Sequence, residues 1–105
     1  MSKSLDRVSL ATGLFALADA CFLVAATTVA EMEPLSDARD EESLFGKYRA
    51  ASELLAATRR NLEDGIAELD QLSQSHAQVA EFLRCSAEAR LEILNRHPYA
   101  NRSRL

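Results

Sequence analysis

A chain of 105 residues holds one domain at most, and its core has little stability to spare, so association would help it. Its net charge of −4 excludes general binding to nucleic-acid phosphate, which needs clustered Lys and Arg. Three Gly, two Pro and no Trp, among abundant Ala, Leu, Glu and Arg, give the composition of an all-α protein.

A first helix is expected over about residues 5–32. Ser4 is the candidate N-cap, and Asp6 stands in the first turn, where the helix dipole favours an anion. Pro34 sets the far limit, because the residue before a proline is pushed out of the helical region. Between Val8 and Ala30 the only formal charge is Asp19. Three rows recur every seven residues: Val8, Phe15, Phe22 and Val29; Ala11, Ala18, Ala25 and Met32; Leu10, Leu17 and Val24. Leu14 and Cys21 fill the gap between rows, and the other side is small: Thr12, Gly13, Ala20 and Thr27, with Asp19 among them.

Residues 8–30 are long enough to span a membrane. Asp at the centre of a span costs about 2.5–3.5 kcal/mol, while Val8, Leu10, Leu14, Phe15, Leu17, Phe22, Leu23, Val24 and Val29 together return roughly 3–5 kcal/mol. Insertion is therefore near break-even before Ser9, Thr12, Gly13, Thr27 and Thr28 oppose it. The large-and-small asymmetry suits a helix packed between other helices better than one facing lipid. The expectation is that the Phe15–Phe22 row packs inside. The edge formed by Leu10, Leu14, Leu17, Cys21 and Val24 is then the partner-binding surface, because two further helices of this chain cannot hide the whole apolar arc.

An acidic connector follows, with Glu33, Asp37, Asp40, Glu41 and Glu42 against Arg39. Ser36 is read as a cap for an early turn. The second helix is expected over 43–73, on the stripe Leu44, Tyr48, Ala51, Leu55, Thr58, Leu62, Ile66, Leu69 and Leu72, whose steps are three or four throughout. Gly46 and Gly65 each weaken it by about 1 kcal/mol relative to Ala. Arg49–Glu53, Arg59–Glu63 and Arg60–Asp64 read as a solvated face, base before acid being the weaker order. Ser75 with Gln78 fits a capping box and predicts a break before a third helix over 76–96. Val79, Phe82, Leu83, Ala87, Leu91, Ile93 and Leu94 are its apolar residues, and Pro98 stops it. Residues 1–97 thus form one helical domain, a three-helix hairpin or bundle completed by dimerisation. Residues 98–105 form a basic tail with Arg102 and Arg104.

Cys21 and Cys85, both inside helical patterns and not in a C-x-x-C pair, read as small buried hydrophobes of a reducing cytoplasm. Asp19 reads as a partly exposed residue of the thin polar face, with a buried anchor for a partner helix as the rival. His76 and His97 lie in no pattern with metal-ligand spacing, and no Gly-rich loop could cradle a phosphate. No catalytic residue, cofactor or metal is expected, and the chain is read as not an enzyme. The function expected is that of a small cytoplasmic protein-binding adaptor. It would sequester or cap a partner's hydrophobic helical surface, as antiactivators and secretion chaperones do by type rather than by motif, and would be a homodimer. The alternative is a single-span membrane protein, residues 8–30 crossing the bilayer beside a cytoplasmic helical hairpin.

Overall fold

The computed structural model describes residues 3–71 and 76–100. The chain forms four α-helices, α1 (Lys3–Ala30), α2 (Met32–Asp37), α3 (Glu41–Leu69) and α4 (Ala77–Arg96), with no strand among the described residues. The three long helices make an all-α bundle, a rod of 56 × 24 × 17 Å. Leu72, Ser75, Arg102 and Arg104 lie outside the described residues, and with them the end of the apolar stripe, the capping box and most of the basic tail.

α1 already runs through Ser4, so that serine is not its cap. The helix tightens at its far end, where the Glu31 N–H donates to both Thr27 O (3.1 Å) and Thr28 O (3.2 Å). The connector forms the short helix α2, which the sequence reading did not include. Pro34 falls in the first turn of α2, where its missing N–H forfeits no helical bond. Ser36 lies within α2 rather than capping it.

α2 closes with Arg39 in the left-handed region, φ 58°. The Asp40 N–H donates to Leu35 O (3.0 Å) and the Arg39 N–H to Ser36 O (3.1 Å), the paired bonds of a Schellman closure in which glycine is the usual left-handed residue. The turn delivers Asp40 as the N-cap of α3, its carboxylate accepting from the Ser43 N–H at 3.2 Å.

α3 returns antiparallel along α1. Ion pairs clamp the two helices at opposite ends: Arg7 with Glu68 at 2.9 Å, and Lys47 with Glu31 at 3.1 Å. Between them Ala11, Phe15, Ala18 and Ala25 of α1 meet Leu55, Leu62 and Leu69 of α3, all buried. The alanine row lets the two backbones lie close while the leucines of α3 fill the seam. The Phe15 ring seats in the hollow at Gly65. A Cβ there would lie 2.9 Å from both Cδ1 and Cζ of the ring and closer still to Cε1. The glycine that reads from sequence as a weak point in the helix is the socket for the largest side chain of the core.

α4 packs on α3, held by Arg59 Nη1 donating to Asn95 Oδ1 at 2.8 Å and by an ion pair between Arg84 and Asp70. Arg59, read as one member of a solvating pair, is turned to α4. Ala80, Ala87 and Leu94 are its buried residues, with Leu83 and Leu91 half-buried. Val79, Phe82 and Ile93, expected in the apolar stripe, are exposed. They step off the seven-residue row of Ala80, Ala87 and Leu94, and one short helix cannot turn both sets inward. α3 and α4 are separate helices, and His76 at the cap position makes no side-chain bond to the first turn. His97, extended at ψ 126° before Pro98, ends α4, and the chain folds back to set Tyr99 on Tyr48, ring centroids 5.5 Å apart.

Candidate functional site

Among the described residues, the outer face of α1 from Leu10 to Thr27 is a long surface with no charge except Asp19 at its margin. Packing against α3 consumes the Ala11, Ala18 and Ala25 row and Phe15, and half-buries Val8, Phe22 and Val29. Since successive residues turn by about 100°, that orientation sends Leu10, Leu17 and Val24 outward; they are 50%, 52% and 51% exposed. Gly13, Ala16, Ala20, Leu23, Thr27 and Ala30 share the same side and are exposed.

The polar groups of this face are turned in on their own helix. Thr12 Oγ1 donates to Val8 O (3.0 Å) and Ser9 O (2.9 Å), and Thr27 Oγ1 donates to Leu23 O (3.1 Å). Buried Thr28 does the same to Val24 O at 2.8 Å. A hydroxyl satisfied this way adds little attraction for water, so the strip from Leu10 to Thr27 behaves as an apolar surface. Asp19 stands at its margin, with a side chain 57% exposed and an ion pair to Arg90 of α4 at 3.3 Å. In the single chain Asp19 is therefore the partly exposed residue of the polar face that the sequence suggests.

Of the residues singled out from sequence, Leu10, Leu17 and Val24 lie on the exposed strip. Leu14 and Cys21 are half-buried on the flank toward the core and contribute only their edges. Leu23 and Ala16 were missed. Their signal was present in the spacing, since Ala16 and Leu23 are seven apart and step by three and four from Ala20 and Thr27. The exposed apolar residues of α4 were missed as surface for the reason given above.

A cleft of about 70 Å³ lies between α1, α3 and α4, lined by Asp19, Phe22, Thr58, Leu62, Arg90, Ile93 and Leu94. Small-molecule sites run to about 300–1,000 Å³, so it has room for water-sized guests only. A shallower hollow of about 330 Å³ is bounded by Met32, Glu41, Leu44, Phe45 and Tyr48. His97 has a local duty: its Nδ1 accepts from the Tyr99 N–H at 3.2 Å, and its ring meets the Phe22 ring edge-on. Among the described residues no three His, Cys, Asp or Glu side chains converge to hold a metal ion.

Both cysteines are free thiols. Cys21 is half-buried and Cys85 exposed, which corrects the reading of Cys85 as buried. The Cys85 thiol faces Glu81 Oε1 at 3.5 Å; the hydrogen bond to that carboxylate, then desolvation, then the charges of Glu81 and Glu88 push its pKa up.

No protein-family model, curated protein or solved structure matches this chain.

Proposed function

We propose that this protein is a non-enzymatic, cytoplasmic interaction module of the antiactivator or secretion-chaperone type. It covers a hydrophobic helical surface of another protein with the outer face of α1, and needs no cofactor, metal, nucleic acid or membrane for that task. The observation that supports this most is the charge-free strip from Leu10 to Thr27, with its threonine hydroxyls bonded back to the helix. Burying such a strip strands no ion, and each threonine hydroxyl keeps its donated bond to its own helix, so the polar cost to a partner is small. The mechanism is helix against helix: Leu10, Leu17, Leu23 and Val24 supply the contact, and the small residues between them let a partner backbone come near. The test is a pull-down from native lysate with wild-type bait and Leu17→Glu bait, compared by quantitative mass spectrometry. A partner recovered by wild type and lost with Leu17→Glu supports the reading, and equal recovery with both baits sinks it.

One observation favours a second reading, in which α1 crosses a membrane. The helical stretch Asp6–Asp37 is long and apolar enough to do so, and 22% of its most apolar window is buried in the bundle. Against this, α3 lies along α1 and carries Arg59, Arg60, Glu63 and Asp64 near mid-length, so α1 would have to leave α3 before entering a bilayer. Recovery of the full chain in the soluble fraction without detergent removes the second reading; recovery only in detergent replaces the first with it.

A further inference from the structure

Gly13, Ala20 and Thr27 run down the middle of the exposed strip. Leu10, Leu17 and Val24 flank them on one side, and Ala16, Leu23 and Ala30 on the other. We infer that in the free protein this strip is covered by the same strip of a second copy, α1 against α1 in antiparallel order with the two-fold axis at Ala20. The inference rests on α1's outer face being the interaction surface.

Shape is the first support. The central column is small, and a Cβ built on Gly13 would meet nothing within 4 Å, so a second backbone can approach along that line. In an antiparallel pair the Leu10–Leu17–Val24 row of one copy lies along the same row of the other, while Leu23 of each copy falls on Ala16 of the other. Bulk then sits on both flanks of the closest approach and small residues at its centre, the arrangement that ridges and grooves require.

Charge is the second. An uncharged strip is best covered by another uncharged strip. The C-terminal end of α1 is followed by the exposed acids Glu33 and Asp37 on α2. Parallel pairing would set the two acidic ends side by side. Antiparallel pairing separates the two acidic ends and sets each near the other copy's α1 N-terminus, where the positive pole of the dipole and Arg7 are offset by Asp6.

Area sets the strength. Leu10 to Thr27 covers about 26 Å of a helix about 10 Å across. Two such faces together cover roughly 500 Å², the scale of a weak, transient contact rather than of a standard interface. A dimer of modest affinity is the expected result, one that a better-matched partner can displace.

The experiment is sedimentation of the full chain at about 10–100 μM, the range in which modest dimers form. It is paired with cross-linking of Ala20→Cys in a Cys21→Ser, Cys85→Ser background under copper–phenanthroline. Wild type should sediment at twice the chain mass, and Leu17→Glu at the single-chain mass with an unchanged helical circular dichroism spectrum. Ala20→Cys should give a covalent dimer because a two-fold axis at Ala20 brings the two Cα atoms within disulfide reach, whereas Glu63→Cys on the outer face of α3 should give none. Ala20→Leu should weaken the dimer at least tenfold. A wild-type chain that stays single overturns the inference, even if the pull-down finds a Leu17-dependent partner; in that case the interaction module stands and the self-pairing falls. A dimer that survives Leu17→Glu and does not cross-link through Ala20→Cys overturns it too, since the copies then meet elsewhere. A dimer that behaves as expected beside a pull-down indifferent to Leu17→Glu keeps the self-pairing and removes the capture of other proteins.

Discussion

The outer faces of α1 and α3 run side by side along one rod and have opposite character. On α3, exposed Glu53, Arg60, Glu63 and Asp64 meet solvent, and Arg49 lies over the Phe45 ring at 5.4 Å. α4 follows α3, with exposed Glu81, Glu88 and Glu92 and an Arg96–Glu92 pair at 3.1 Å. On α1, the whole outer strip from Leu10 to Ala30 is apolar or small. The inner stripes of all three helices suffice to build the bundle, so the outer faces are free to differ. That of α3 is mostly charged, that of α4 mixes its acids with exposed Val79, Phe82 and Ile93, and that of α1 is left in a state that water does not favour. That uncovered apolar surface is the feature on which the proposed association rests.

The contrast can be broken most severely from within. Phe15→Ala removes the largest side chain of the core from the inner side of α1 and should cost about 3–5 kcal/mol, enough to leave a chain this small largely unfolded; urea titration followed by circular dichroism reads it. Gly65→Ala tests the same contact from α3. Propensity alone favours Ala by about 1 kcal/mol, but the added methyl runs into the Phe15 ring, so a loss of about 1–3 kcal/mol is expected from overpacking. A stabilised Gly65→Ala would mean that the ring does not occupy that hollow.

The joint between the two regions gives a smaller effect of opposite sign. Arg39 holds a left-handed conformation that costs a side-chain-bearing residue about 1–2 kcal/mol, so Arg39→Gly should stabilise by about 0.5–1 kcal/mol, seen as a raised melting temperature. Leu17→Glu sharpens the comparison itself: on an exposed strip it should change stability by no more than about 0.5 kcal/mol while abolishing association. The smallest effect belongs to Cys85 on α4. The neighbouring Glu81 carboxylate raises its pKa, leaving less thiolate at any given pH. At pH 8 the thiol should alkylate more slowly than a free cysteine peptide, and Glu81→Gln should speed it.

The all-α bundle was legible because its inner stripes are regular. Ala51, Leu55, Thr58, Leu62 and Leu69 were read in step and are buried, and Pro98 ends the last helix as expected. What escaped depended on tertiary context. Gly65 carries no local sign that a ring seats against it. Arg39 gives no glycine to announce a left-handed closure, so the short helix before it and the capping by Asp40 of the helix after it were not read. On the candidate strip, the seven-residue spacing of Leu10, Leu17 and Val24 was visible. Which row faces inward is decided by α3, and that placed Leu14 and Cys21 on the flank and brought Leu23 out. Periodicity names the rows of a helix, and the neighbouring helix chooses among them.

The seat of Phe15 at Gly65 acts as a key in a keyway. A ring held in a one-residue notch stops α1 from sliding along α3 and from rolling about its own axis. Leu17, two residues on, is carried about 200° round the helix from that ring and has no option but to point away from the bundle. The bearing of the sticky edge is thus set by a glycine on a different helix, on the far side of the core. The outer strip can be rewritten residue by residue, for another partner or for none, while the lock that aims it stays as it is.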